Sequence, residues 1–556
     1  MRTPLLPTLA ALLLFGRLLP SAARAETVVH DNDRIVFCGD SITGQGGNGG
    51  PTGWVGLVKE GLAIAHPAGR QTVAALGGSG ATVGAWLNFD KKSREKPVFL
   101  DVKNLDVKAT LDGGAEIVII MLGMNDVLAP SLKDTPAAFD AWAAQYRVLA
   151  ETLKARAHPR LLGFATITPC TEGLDAPKNR VEGELNARLI PLAKQENALL
   201  LPTHEAMAEL LAAGRCYRPD FHITADFVHP NRAGHLAIAV GMLRGLGEKE
   251  AAARLLDKYS GFFRPPAADL PTLSYTLTAQ PAPPDEAIRQ FTIHYHWTPS
   301  ASSAAEPVVT AAAPDGWKVA PPRLTGTAGD FQASGPLDRL VNKVTLSASW
   351  GGLEKQAEID IPAGWRIAVG GSKGLGWDRT NSAYDPTQDR LPLDEELSKD
   401  EAFAKPAAFP LGDTPPWRHY IAGINFTGGA APGSVDMAAV TFFHFHDLAY
   451  GARWIYSDKD RTVDLTLGTR AFAGTFSESV WLNADALYAG RLFKEPGRKF
   501  TVETRLHRGW NRLLFKSTFV QWQWEFTIDL AGKPGDDLAD LRYAAKPPET
   551  SPPAKN

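Results

Sequence analysis

A serine hydroxyl becomes a useful nucleophile only when a base withdraws its proton and a further group orients that base. The stretch 34-RIVFCGDSITGQG-46 offers such a serine. An apolar run ends abruptly at Gly39-Asp40-Ser41 with more glycine behind it, which reads as a buried strand opening into a flexible turn. The segment 224-TADFVHPNRAGHLAIA-239 offers the other two groups. Asp226 and His229 stand on one proline-bounded loop just before a helical pattern, so a short loop can present both side chains to the same serine. The alternative for Ser41 is a Gly/Asp/Ser turn with no chemistry, and the surrounding elements decide between the two.

Those elements alternate. Strand candidates are 34–38, 71–76, 116–122 and 161–167, and helix candidates include 53–65, 138–156 and 185–198. Continuous Val/Ile/Leu strands interleaved with amphipathic helices predict βαβ units and a parallel sheet covered on both faces. Two further strand ends carry glycine, 75-ALGGSGAT-82 and 121-MLGMND-126. Ligands collect at the carboxyl ends of strands in an open parallel sheet. Ser41, Gly80, Asn125 and the Asp226/His229 loop are therefore expected along one edge.

In order and strand context, GDS after the first strand, a glycine loop after the second, G-x-N-D after the third and D-x-x-H-P near 229 resemble the SGNH (GDSL) hydrolase family. The likeness spans roughly residues 30–245. It implies a three-layer, flavodoxin-like α/β hydrolase domain that works without metal or organic cofactor. By the same resemblance, Ser41 is the nucleophile, His229 the general base that later protonates the leaving alcohol, and Asp226 the residue that orients His229. The backbone N–H of Ser41, the N–H of Gly80 and the side-chain amide of Asn125 form the implied oxyanion hole. Asp40 is expected to hold the turn. The second block departs from the family's frequent form, with Ala75 where an asparagine is common and Ala81 where an acid often follows the glycine. Gly77 and Gly78 thus stay open as alternatives to Gly80.

The 556-residue chain is too long for one hydrophobic core. It divides into a signal peptide over 1–25, the hydrolase domain over 26–262, a β-sandwich over 272–368, a loop-rich connector over 371–417, a C-terminal β domain over 418–544 and a disordered tail over 545–556. The division follows the fading of helical periodicity after 263, the period-two pattern of 273–280, 289–297 and 342–350, and the prolines of 371–417. Segments 480-VWLNADALY-488 and 508-RGWNRLLFK-516 resemble galactose-binding-like jelly-roll domains. Trp481, Trp510, Trp522 and Trp524 then read either as a sugar-stacking face or as sandwich core, with core favoured.

Arg2, a leucine/alanine run and 23-ARA-25 have the order of a signal peptide cleaved after Ala25. Export, periplasmic or extracellular, is the expectation, with no integral membrane segment. A formal net charge of −3 and the absence of a basic block argue against a nucleic-acid partner. Nothing in the sequence specifies an oligomeric state. Export permits a disulfide, and Cys170 with Cys216 is the pair to examine, whereas Cys38 reads as a buried thiol.

Several other signals are set aside. The G-x-G-x-x-G of 44–49 lacks a ribose-binding acid, and the G-x-S-x-G around Ser372 is followed by loop where a nucleophile elbow needs a helix. The pairs His294/His296 and His444/His446 have no evident carboxylate at a matching spacing, so structural roles are favoured over metal binding. His235 belongs to the helix after the 224–231 loop. The expected activity is that of an exported serine esterase removing O-acyl groups, with acetyl favoured, from a polysaccharide or oligosaccharide. A lipid-directed esterase of the same fold is one alternative. A carbohydrate-binding protein with a vestigial hydrolase domain is another, and a lost Ser, His or Asn would mark it. None is lost.

Overall fold

The computed structural model describes residues 28–89, 106–129, 131–174, 176–218, 221–226, 228–264, 271–280, 282, 287–299, 306–370, 418–421, 433–437, 440, 448–469, 475–483, 485–492, 499–521 and 524–545. The signal-peptide reading, the 371–417 connector, Ser372, His444/His446, Trp522 and nearly all of the tail lie outside the described residues.

Strands β1 (Arg34–Asp40), β2 (Thr72–Gly78), β3 (Ile117–Met121), β4 (Leu161–Ala165) and β5 (Leu199–Leu201) form a five-stranded sheet in the order β2-β1-β3-β4-β5. Every pairing is parallel. β3 is buried at all five positions because helices lie over both faces, which is what its unbroken apolar sequence demands. The helices are α1 (Ser41–Asn48), α2 (Trp54–Ala65), α3 (Val83–Trp86), α4 (Val107–Asp112), α5 (Met124–Leu128), α6 (Pro136–Ala157), α7 (Pro177–Gln195), α8 (Thr203–Arg215), α9 (Arg232–Gly245) and α10 (Lys249–Lys258).

Strand order places the site. The chain leaves β1 toward β2 on one side and later returns to β3 on the other, so the connections after these neighbouring strands diverge. A crevice opens at such a switch point, beyond the carboxyl ends of the strands. Ser41 follows β1 and Asn125 follows β3.

Three sequence readings need correction here. Ser41 does not sit on a flexible turn: α1 begins at Ser41 itself, capped by the Asp40 carboxylate, which accepts from the Ile42 N–H. A serine or aspartate side chain beside a helix start satisfies a free N–H and so favours the helix over the turn. The Gly-rich 44–49 segment is accordingly mostly helix. α7 begins at Pro177, well before 185, and runs through Pro191. β5 escaped notice because three residues are too few to show a period.

Beyond the α/β domain the chain forms antiparallel sheets. Leu273, Phe291, Ile293 and Tyr295 on one four-stranded sheet pack with Val309, Val344 and Leu346 on a second, as a core of their own. A seven-stranded and a four-stranded sheet enclose a third core around Trp365, Val463, Leu465, Phe515 and Phe526. The strand Trp365–Gly370 joins this last assembly by pairing with Leu448–Ser457, across the boundary that composition puts near 368. Trp524 is buried, in agreement with core packing, while Trp481 and Trp510 are half-buried.

Candidate active site

The junction of β1 and α1 at Ser41 is held from both sides by buried indoles. Trp86 Nε1 donates to the carbonyl of Gly39 at 2.9 Å, and Trp54 Nε1 donates to the carbonyl of Ile42 at 3.0 Å. Both tryptophans are fully buried, and Trp54 stands edge-on to Phe37 of β1. A Cβ on Gly39 would lie 2.0 Å from Thr43 Oγ1 and 2.7 Å from the Met121 carbonyl, so only glycine lets β1 and β3 end this close beneath the serine. Sequence reading missed the two tryptophans. They follow no motif, and only the fold shows which carbonyls their N–H groups reach.

The 224–231 loop closes on itself. Thr224 and Pro230 form an isolated bridge, Ala225 N–H donates to the His229 carbonyl at 2.8 Å, and Asn231 caps α9 by accepting from Ala233 and Gly234. Within it, Asp226 Oδ1 accepts from the backbone N–H groups of Val228 and His229, and Oδ2 lies 2.7 Å from His229 Nδ1. The other imidazole nitrogen, Nε2, lies 2.8 Å from Ser41 Oγ. The serine, histidine and aspartate of the sequence reading thus form one continuous hydrogen-bonded chain.

Its electrostatics are consistent. Burial alone would push the Asp226 carboxyl up, but the hydrogen bonds from the His229 side chain and backbone outweigh it and hold the carboxyl below its ordinary value. Burial likewise opposes charge on His229, yet the hydrogen bond and negative charge of Asp226 raise the imidazole above its usual value. Asp40, 2% exposed, is pushed up to about 7 by burial.

Gly80 lies beyond the end of β2 with φ of +72°, a backbone region open chiefly to glycine, and a Cβ there would meet nothing within 4 Å. Gly77 and Gly78 instead lie within β2, paired with Gly39 and Asp40. Asn125 lies in the first turn of α5, and its Nδ2 donates to the carbonyl of Ala81 at 3.1 Å, so the segments after β3 and β2 meet. Asp126 fixes that meeting from below by accepting from the Val83 N–H at 3.1 Å.

The residues set aside fall elsewhere. His235, on α9, accepts from the Trp54 N–H and is pushed down to about 4 by burial. His294 does have a carboxylate partner, Asp330 at 2.6 Å, contrary to the sequence reading. Among the described residues no cluster of three His, Cys, Asp or Glu side chains could hold a metal ion. Cys38, Cys170 and Cys216 are all free thiols, so the Cys170–Cys216 pairing is not made. A cavity of about 690 Å³ runs along the edge strand β2 between α1 and α2. Its wall includes Gly44 and Gly77 but none of Ser41, Asn125, Asp226 or His229. No helix among the described residues is long and apolar enough to cross a membrane.

Part of the chain is similar to known proteins. Residues 37–237 match the model of the GDSL-like Lipase/Acylhydrolase family. An acetylxylan esterase of Geobacillus stearothermophilus is 28% identical over 234 residues, 39% of this chain and 96% of that protein. Among solved structures, Axe2, an acetylxylan esterase from the same organism, is 24% identical over 39% of this chain and 96% of its own, with a TM-score of 0.31. LAE5, an alpha/beta hydrolase enzyme from the metagenome of Lake Arreo, is 21% identical over 40% and 99%, with a TM-score of 0.30. Residues 37–237 are therefore similar to the GDSL-like lipase/acylhydrolase family, and the protein is a hydrolase of ester bonds.

Proposed function

We propose that the protein is an exported serine esterase that removes O-acetyl groups from a polysaccharide or its oligomers. The observation that carries the chemistry is the unbroken chain from Ser41 Oγ through His229 to Asp226, at 2.8 and 2.7 Å. The acetylxylan esterase of Geobacillus stearothermophilus as a relative, together with β domains appended to the hydrolase domain, supports a carbohydrate ester as substrate. The Arg2, apolar and Ala-Arg-Ala order of the N-terminus supports export after cleavage at Ala25.

In this reading Ser41 Oγ attacks the ester carbonyl carbon while His229 Nε2 takes the hydroxyl proton. The carbonyl π electrons move onto oxygen, where the N–H groups of Ser41 and Gly80 and the amide of Asn125 receive the charge. Such a donor is typically worth about 10²–10³ in rate. Collapse expels the sugar oxygen, which takes the proton from His229 and leaves acetyl-Ser41. Water, deprotonated by the same imidazole, then attacks the acyl carbon, and collapse breaks the bond to Ser41 Oγ, which takes the proton back from His229 as acetate is released. Asp226 stays ionised throughout and stabilises the imidazolium.

The test is hydrolysis of p-nitrophenyl acetate, butyrate and octanoate by the wild type and Ser41→Ala, with acetate release from acetylated xylan alongside. Short-chain activity lost in the variant, with acetate freed from xylan, is the expected result. A preference for octanoate would favour a lipid ester. Activity surviving Ser41→Ala would remove the serine mechanism.

A further inference from the structure

The acid and base of the site stand on a loop that is anchored from outside. Glu172 lies between β4 and α7 and is 1% exposed. Its Oε1 accepts three hydrogen bonds, each of 2.7 Å, from the Ile223 N–H, the Thr224 N–H and the Thr224 hydroxyl. Its Oε2 lies 2.8 Å from His222 Nδ1 and 3.6 Å from Arg215 Nη2. Burial alone would raise this carboxyl, yet the bonds from His222 and Thr224 outweigh it and keep the group below its ordinary value. A buried, ionised carboxylate therefore grips residues 222–224, immediately ahead of Asp226.

The grip is itself fixed to the scaffold. Asn179, on α7, accepts from the Cys170 N–H and donates to the carbonyls of Thr171 and Gly173, which sets the backbone on both sides of Glu172. On the far side of the loop, Asn231 Nδ2 donates to the His222 carbonyl at 2.8 Å. A continuous path of contacts thus runs from α7 through Glu172 to the 222–224 segment that leads into Asp226 and His229.

We propose that Glu172 is the positioning residue of the site: its buried carboxylate sets the orientation in which the Asp226/His229 loop meets Ser41. This rests on the reading of Ser41, Asp226 and His229 given above. Glu172 reaches the reaction only through the loop. Displacing a reacting group by about 1 Å costs about 10²-fold in rate, and freeing one side of this loop is a displacement of that kind.

The experiment compares wild type, Glu172→Asp and Glu172→Gln, with Ser41→Ala as reference, in full-chain protein on p-nitrophenyl acetate. Aspartate keeps the charge but withdraws it by one methylene from Ile223 and Thr224, whereas glutamine keeps the Oε1 acceptor at full reach. Glu172→Asp is expected to lower kcat by about 10–10²-fold with KM changed less than about twofold. The acid limb of its kcat/KM profile should move to lower pH as His229 loses alignment with Asp226. Glu172→Gln should recover to within about threefold of wild type. If Glu172→Asp does not fold, Thr224→Val, which deletes one donor to Oε1, carries the same expectation. A cooperatively folded Glu172→Asp with wild-type kcat and an unmoved acid limb would overturn the proposal alone, as would a loss that follows only the fraction of folded protein. Activity persisting in Ser41→Ala would instead overturn the reading of the site, and this proposal with it.

Discussion

The imidazole of His229 lies 2.8 Å from the hydroxyl of Ser41, although 188 residues separate them in sequence. One partner opens the first helix after β1, and the other is carried by a loop that follows all five strands of the sheet. Both are held by backbone-directed hydrogen bonds, so the contact is set before any substrate arrives.

Because Asp226 raises the His229 imidazole, activity should fall on acidification with an apparent pKa above the ordinary histidine value of about 6.5. The base works only when neutral, so a raised pKa moves the acid limb upward. Asp226→Asn removes the charge that raises it. The limb should then shift to lower pH, with kcat reduced by up to about 10⁴-fold. A profile of kcat/KM from pH 5 to 9 for both proteins checks this, and an unmoved limb would count against the Asp226–His229 coupling.

Asn125→Ala should lower kcat by about 10²–10³-fold while KM changes little, because an oxyanion donor acts mainly in the transition state. The amide also bonds the Ala81 carbonyl, so the melting temperature is measured beside the kinetics. A loss confined to KM would assign Asn125 to substrate binding and not to the oxyanion.

The buried carboxyls of Asp40 and Asp126 are both pushed up to about 7, chiefly by burial. An acid whose folded pKa exceeds its unfolded one stabilises the fold fully below the unfolded value, here 3.8, and loses that contribution as pH rises through the folded value. Wild-type stability should therefore decline between pH 5 and 8. Asp126→Asn, which keeps an acceptor for the Val83 N–H, should flatten that decline. Urea midpoints at the two pH values decide it: an equal decline in variant and wild type would mean that Asp126 does not titrate there.

Gly39→Ala should destabilise the domain by about 1–3 kcal/mol or more, since the added Cβ meets Thr43 Oγ1 and the Met121 carbonyl. Combining it with Thr43→Ala should restore only part of the loss, because the carbonyl clash belongs to the backbone. Thermal melting of the two variants tests this, and full recovery in the double variant would place the whole strain at Thr43.

Much of the site could be read from the chain because its chemistry is local. Asp226 and His229 share one loop, Ser41 directly follows an apolar strand, and the G-x-N-D stretch closes another strand. Continuous apolar strands alternating with amphipathic helices likewise specify a parallel sheet, since only burial on both faces accommodates them. The residues that hold these groups were not legible. Trp54 and Trp86 reach carbonyls on either side of Ser41, and Glu172 reaches Ile223 and Thr224 across some fifty positions. Such contacts have no spacing or periodicity to betray them.

The same division explains the errors. Sequence by itself determined most of the α/β elements and singled out Ser41, Asp226 and His229 as candidates, because periodicity and short motifs are properties of neighbours along the chain. It could not decide whether Gly39-Asp40-Ser41 was a loose turn or a capped helix start, whether Cys170 met Cys216, or which assembly Trp365–Gly370 would join. Each of those depends on what packs against the segment from far away. At the candidate site, tertiary structure brings strand ends, buried indoles and one buried carboxylate to the same edge of the sheet, where hydrogen bonds left unmade would carry a desolvation cost.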